Sequence, residues 1–539
     1  MLISFMPLKE MLNNMYKNKL APDQWPLRLS ALMLMLIAYS YTVARAWSLP
    51  IYHDEAVTYL YHARSSFYDI LFYTQSFRPN NHLLNTILIK DITALLGASE
   101  FVLRIPALLG HALYLIGMYK ILKLFLRNWQ LPLGLCIVYL NPFLLEYFSA
   151  ARGYALGLGC STYGIYYLLQ SIIEENITTN SANHKNLEKG YLWLALAVIS
   201  SFSFFHVYLS ILFCHVTKNF LNQKKQSTVL RNCILDIIKP TWKSILLLLA
   251  TCTIPIYQII IYKEPIEIGG ILGFWGTTVS SLIKGTLYDQ TYSQPYIIMP
   301  FQIFIGVTIC LSIITAIQGS SLKPYIRILR ETISWLLTCS LLIIIEGQIT
   351  HAYVGGRTAI YFIPLFLLVL LTALQSLSTI KLPIIKTSVI ALNIILGFLT
   401  GFHFLHSQNI NKYYMDNDNG STREAVDLVK KLTQHRNDKD RSISVGTHWI
   451  FTPQWNFYIL KNHLTWIKIM PYCQDLKHNY DFYYLYTQKQ MPFDPNIEND
   501  LSMIKEKDLK IIHRFKHLGT YLAVPKQAVV PTSPLFSKE

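Results

Sequence analysis

The chain has 539 residues, 52% of them hydrophobic and only 14% charged, and a mean hydropathy of +0.31. Soluble domains carry about 25% charged residues, so this composition excludes an ordinary globular protein and indicates a mostly helical polytopic membrane protein. The net charge of +16 fits membrane topology and anionic lipid rather than nucleic acid, because no interleaved basic and aromatic motif accompanies it.

Eleven apolar segments read as spans, roughly 27–47, 104–126, 131–148, 152–173, 190–205, 207–221, 243–262, 299–319, 332–347, 358–378 and 384–405. Each approaches the length needed to cross a hydrocarbon core of about 30 Å. The first follows a polar stretch and is long enough to span, so it reads as a retained anchor rather than a cleaved signal. Basic residues precede span one (Lys9, Lys17, Lys19, Arg28), follow span two (Arg127) and surround the loop after span six (Lys218 to Lys243). They also follow span eight (Lys323, Arg327, Arg330) and span ten (Lys381, Lys386). All share one side if the N-terminus is cytoplasmic, which places the C-terminus outside.

The outer side then receives a first loop (about 48–103), the turn from Glu146 to Arg152, the loop 263–298 and the tail 406–539. In the first loop, His53 to Phe72 and Leu83 to Leu96 have the pattern of short amphipathic surface helices, with a turn at Asn80-Asn81-His82. The chain divides into a transmembrane domain, 1–405, and a small extracytoplasmic α/β domain, 406–539. In the latter, Ser421 and Glu424 suggest a capped helix Thr422 to His435. Arg441 to Phe451, Asp481 to Thr487, Leu509 to Phe515 and Thr520 to Val524 read as strands. Of eight cysteines only Cys473 falls in this domain, so no internal disulfide holds it.

Chemistry concentrates at the outer ends of the spans. Asp54 and Glu55 follow span one, and charges at a membrane mouth are functional suspects. Transfer of a sugar to a hydroxyl needs a base for the acceptor proton, and a carboxylate suits it. Asp54 is the candidate base and Glu55 its orienter or a cation ligand; acids favouring a helix start explain the pair equally simply. His53 and His82, with Asp54 or Glu55, form a mixed nitrogen and oxygen set that suits a divalent metal, against plain headgroup-level polarity. Arg152 is a candidate phosphate ligand, or one half of a structural pair with Glu146. Arg357, entering span ten between glycines and outer loop, is a second phosphate candidate, or an interface arginine that snorkels. Gly153, Gly157 and Gly159 read as close helix packing, and no strand precedes them to make a nucleotide loop. His206 and Tyr208 mark a polar helix reversal. Glu264, Glu267 and Asp289 read as solvated, in a loop that could also act as a lid.

Several motifs together resemble the membrane-embedded GT-C glycosyltransferases, the group containing protein O-mannosyltransferases and the lipid A aminoarabinose transferase. They are Asp54-Glu55-Ala56, Pro79 to Leu84, Gly97 to Pro106, Asn141-Pro142 through Arg152-Gly153-Tyr154, and Arg357 through Pro364. The likeness is best over spans one to four and fades over the tail. It implies a GT-C-type bundle of about 11 helices in a bacterial inner membrane, with the C-terminal domain periplasmic. It further implies transfer of a sugar, usually with inversion, from a polyprenyl-phosphate donor to an extracytoplasmic lipid, glycan or protein acceptor. Asp54 matches the family's catalytic base, Arg152 and Arg357 its phosphate-binding arginines, and Glu146 its second carboxylate. Some members bind a divalent metal near the acidic motif and others do not. Leu83 stands where relatives often have proline.

Two other readings compete. A transporter or flippase for lipid-linked glycans should show midplane charges or repeated broken helices, which are absent from the sequence pattern. A non-catalytic scaffold does not account for acidic and basic residues converging at one face.

Overall fold

A helix lies under every segment read as a span. The computed structural model describes residues 25–174, 180–226, 230–262, 269–288, 295–320, 323–380, 382–413, 421–434, 442–471, 479–486, 504, 507–515 and 519–526. Lys9, Lys17, Lys19, Glu264, Glu267, Asp289, Lys381 and Cys473 lie outside the described residues.

The bundle begins with α1 (Trp25–Ser48), followed by the first-loop helices α2 (His53–Val57), α3 (Phe67–Phe72) and α4 (Leu83–Leu96). It continues with α5 (Glu100–Lys123), α6 (Gln130–Tyr139), α7 (Pro142–Phe148), α8 (Gly153–Glu174), α9 (Asn180–Ser200), α10 (Phe205–Gln226) and α11 (Leu230–Tyr262). The short α12 (Ser280–Leu287) precedes α13 (Pro295–Gln318), α14 (Pro324–Thr350), α15 (Phe362–Leu377) and α16 (Pro383–Ser407). Among the described residues, six helices are individually long and apolar enough to cross a membrane, and the bent pair α6–α7 makes a seventh if taken as one span. The chain is a multi-pass membrane protein, but the expected count of eleven spans is not established by length and composition. Gly153–Glu174 shows why: most of its residues are buried among other helices, so little of its surface has to match lipid.

The segment 131–148, expected as one span, is two helices meeting at 63°. The cause is local. Pro142 removes a backbone donor at the first turn of α7, and the Asn141 side chain accepts from Leu144 N at 3.1 Å, capping a new helix. In the first loop, α4 occupies the predicted range. The segment before it is broken instead: α2 runs into a π-helical stretch, Thr58–Ala63, and α3 restarts with Ser66 as its cap.

Close packing of α8 accounts for its glycines. A Cβ on Gly153 would lie 1.8 Å from Ser200 O and 2.8 Å from His82 Cβ. One on Gly159 would lie 2.4 Å from Gly110 O on α5. These glycines bring α8 against α5 and α9, and bring the start of α8 against the first loop.

Among its described residues the tail carries α17 (Thr422–Thr433), α18 (Thr452–Lys461) and five strands: β1 (Ile443–Thr447), β2 (Ile467–Pro471), β3 (Phe482–Tyr486), β4 (Leu509–Arg514) and β5 (Thr520–Pro525). Their order is β2-β1-β3-β5-β4, with β1 parallel to both neighbours and the β3–β5 and β5–β4 pairs antiparallel. α18 and β2 were not foreseen. The strand predicted from 441 ends at Thr447, because Trp449–Phe451 turn into the start of α18. Ser421 occupies the cap position of α17 but makes no side-chain cap bond, so the expected capping box is not formed.

One apolar cluster joins Ile51, Ala56, Tyr59 and Leu103 of the membrane domain to Val426, Trp455 and Phe457 of the tail. The tail domain therefore sits on the first loop, directly above α2.

Candidate active site

Asp54 and Glu55 occupy the first turn of α2, where carboxylates are favoured by the helix dipole. Adjacent positions on a helix point in different directions, and here their environments separate sharply. Glu55 turns inward and is 1% exposed; Arg104 beside it is fully buried. Glu55 Oε1 accepts from Arg104 Nε at 2.8 Å and from Ala151 N at 2.6 Å. Oε2 accepts from Arg104 Nη2 at 2.6 Å, Tyr52 N at 3.3 Å and the Tyr413 hydroxyl at 3.4 Å. Arg104 also donates to Ala46 O, Leu49 O and Pro50 O at 2.7–3.0 Å. The pair fastens α2 to α5, to the end of α1 and to the turn before α8. Glu55 is thus an anchor for the acidic segment.

Asp54 turns the other way, and its side chain keeps 16% exposure. One oxygen, Oδ2, accepts from Arg357 Nη1 at 2.8 Å and lies 3.3 Å from Arg152 Nη1. Arg152 also donates to the Asn80 side chain, and Asn80 Nδ2 donates to Asp54 O at 3.4 Å. Three segments far apart in sequence thereby converge: the start of α2, the turn into α8 and the turn before α15. Burial pushes the Asp54 carboxyl up, but the guanidiniums of Arg152 and Arg357 outweigh it. The carboxyl is held well below the usual carboxylate range.

The Arg357 turn is itself supported. Gly356 has φ +53° and its N–H donates to Ser281 Oγ at 2.7 Å, while Thr278 Oγ1 donates to Val354 O at 2.6 Å. The described part of the 263–298 loop thus props the arginine. Arg357 is not a snorkelling residue; its head reaches the carboxylate.

Glu146 is elsewhere. The Glu146–Arg152 pair, the alternative reading of Arg152, is not formed: Glu146 makes a buried pair with Arg45 at 3.4 Å, and the Tyr288 hydroxyl also donates to it. Tyr413 links the two buried pairs, its ring lying 6.0 Å from Arg45 Cζ and 5.8 Å from Arg104 Cζ. Arg45 and Arg104 were not singled out as functional from the sequence. An arginine within an apolar span is a readable signal, and it would have found both. Asn80 was visible only within a longer motif. The polar reversal at His206 proves to be held by a hydrogen bond to the next helix but three, His206 Nε2 lying 2.5 Å from Glu346 Oε2 on α14.

The proposed metal set does not assemble. His53 Nδ1 engages Ile450 O of the tail domain at 2.7 Å, and both Glu55 oxygens are committed to Arg104. His82 packs edge-on against Tyr154, with Nε2 buried and unpaired. Burial, then the Arg152 charge, keeps His82 neutral by pushing its pKa well down. Two guanidiniums on Asp54 oppose a further cation. Among the described residues no group of three or more His, Cys, Asp or Glu side chains comes together to hold a metal. These residues do not fit a resident divalent ion.

No family profile matches the sequence, and no curated protein matches it. The fold does match solved structures. ArnT from Cupriavidus metallidurans bound to undecaprenyl phosphate superposes with a TM-score of 0.51 at 9% identity, over 95% of this chain and 100% of that one. ArnT from the same organism in the apo state gives 0.52 at 9% identity, over 93% and 98%. At this identity the likeness establishes the fold alone, which is the one these ArnT structures adopt.

Proposed function

We propose that this protein is a membrane glycosyltransferase that moves a sugar from a polyprenyl-phosphate donor to a hydroxyl-bearing acceptor on the Asp54 side of the membrane. The observation that carries the reading is a single carboxylate, Asp54, held by Arg152 and Arg357 at the mouth of the bundle. The fold shared with ArnT supports it, and so does the positive-inside pattern, under which this face and the tail share the outer side. The resemblance of the motifs supports the same class of donor.

Arg152 and Arg357 bind the donor phosphate, as guanidinium does best. The phosphate competes with Asp54 for both cations and so returns basicity to the carboxylate. Asp54 then takes the acceptor hydroxyl proton as that oxygen bonds to the anomeric carbon. The bond from that carbon to the phosphate oxygen breaks, and the pair of electrons leaves with the polyprenyl phosphate. The transition state is oxocarbenium-like, and the arginines stabilise the charge that gathers on the departing phosphate. A single displacement of this kind inverts the anomeric centre. Glu55 and Glu146 are buried against Arg104 and Arg45, whereas Asp54 keeps an open face, which leaves Asp54 for the chemistry and argues for one displacement rather than two.

The test is transfer from radiolabelled polyprenyl-phosphate sugars into membranes containing the wild type or Asp54→Asn. Loss of transfer with unchanged protein level is expected; equal transfer by both would remove Asp54 as the base.

A further inference from the structure

The segment that props the Arg357 turn also presents bare apolar side chains. Ile271 is 81% exposed, Leu272 77% and Trp275 46%. Ile271 and Leu272 are not the lipid-facing side of a spanning helix. Gly269 to Leu272 are non-helical, and the chain then enters a π-helical stretch, Phe274–Val279, a form that often marks functional sites.

This apolar tip is fixed to the arginine segment. Gly270 and Tyr353 exchange backbone hydrogen bonds at 3.2 and 2.8 Å. Gly269 holds φ +125°, and a Cβ there would lie 2.1 Å from Tyr353 O, so glycine is what lets the two segments meet. Leu272 N donates to Thr277 Oγ1 at 3.1 Å, and Gln302 Nε2 donates to Trp275 O at 3.2 Å. Thr278 and Ser281 bond the same turn from the other side. Tyr353 lies beyond the end of α14 at Thr350. From Tyr353 to Arg357 the chain can extend at most about 14 Å. The tip therefore stands past the helix ends, in one unit with Arg357.

A phosphate site with hydrocarbon contacts beside it selects among lipid phosphates. In a prenyl phosphate the hydrocarbon begins at the carbon bonded to the phosphate oxygen. In a phospholipid the polar glycerol and its ester groups come between. A prenyl carrier whose phosphate reaches Arg357 must draw its first isoprene units out of the acyl region, where exposed hydrocarbon is unfavourable. A fixed apolar tip next to the arginine covers them.

We propose that Ile271, Leu272 and Trp275 form the contact for the isoprene units nearest the carrier phosphate. The inference rests on the glycosyltransferase reading and adds to it the residues that distinguish a prenyl phosphate from a phospholipid.

The experiment measures binding, so it does not depend on the sugar. Undecaprenyl phosphate, geranyl phosphate and phosphatidic acid are added separately to the full chain in detergent, and retention is followed by native mass spectrometry. The double change Ile271→Ser and Leu272→Ser should weaken both prenyl phosphates about tenfold and phosphatidic acid much less. Phe398→Ser, at an equally apolar position on α16 that is 69% exposed, should change none of the three. Undiminished binding of both prenyl phosphates by the tip variant would overturn the inference and leave the carrier in place. Equal weakening of phosphatidic acid would make the tip an ordinary lipid contact and overturn it too. Weakening confined to undecaprenyl phosphate would overturn the placement beside the phosphate. A wild type that binds neither prenyl phosphate would remove the glycosyltransferase reading together with the inference.

Discussion

A carboxylate gripped by two guanidiniums is a poor base, and that is the resting state of Asp54. The same grip gives the site its order of events, since a donor phosphate must take the arginines before the carboxylate can accept a proton. Arg357→Ala removes the shorter of the two contacts, 2.8 Å. Truncating one partner of a close charge pair costs about 2 kcal/mol or more, roughly 30-fold in kcat/KM. The loss should appear mainly as a higher KM for the donor, with partial recovery in Arg357→Lys, and steady-state transfer kinetics would show it. A neighbouring group makes a pH prediction. Burial first, then Arg152 and Arg78, lower the His62 pKa to about 4, against the Phe77 carbonyl bond that raises it. Between about 6.5 and about 4 the unfolded chain holds more protons at this site than the folded one, so stability rises with pH there. The contribution is complete above about 6.5 and is lost as pH falls toward 4. Thermal unfolding across that range should show the decline, and His62→Gln should flatten it.

At the scale of elements, the site depends on how α2 is held. Glu55 and Arg104 form a buried pair whose removal from one side leaves an uncompensated charge, at a cost of about 3–5 kcal/mol. Glu55→Gln should therefore lower the unfolding temperature in detergent substantially, and by more than Asp54→Asn, since Asp54 and Arg357 keep contact with solvent. Equal destabilisation by both would contradict the division of labour between the two acids. Much of this was legible in the sequence: the acidic pair, both arginines at Asp54, the glycine packing of α8 and most tail strands carried local signals. The partners of each charge were not legible. Glu146 lies six residues from Arg152 in sequence, yet it pairs with Arg45 on α1, a choice made by tertiary packing rather than spacing. The same holds for His206 and Glu346. The break between α6 and α7 was announced by Asn141-Pro142, but an unbroken apolar run concealed the bend.

At the scale of the whole molecule, the membrane bundle and the tail domain share the ground around α2. Glu100 at the start of α5 meets Arg423 at 3.3 Å and Lys461 more closely still, and Ile51 N donates to the Tyr458 hydroxyl at 2.9 Å. His53 reaches Ile450 O in the same region. The tail is therefore part of the scaffold that orients the acidic segment. Lys461→Glu should weaken this joint and Glu100→Lys should weaken it as well. The double exchange should recover part of the loss, read as protection of the tail from limited proteolysis; no recovery would mean the two residues do not couple. The account as a whole rests on Asp54 acting as base for a donor bound by Arg152 and Arg357. The most direct measurement is transfer from a labelled polyprenyl-phosphate sugar by purified wild type and Asp54→Asn, with donor binding followed in parallel. The account predicts that Asp54→Asn loses transfer but binds the donor phosphate at least as well, because its arginines are no longer occupied by a carboxylate. Transfer at the wild-type rate by Asp54→Asn would contradict it.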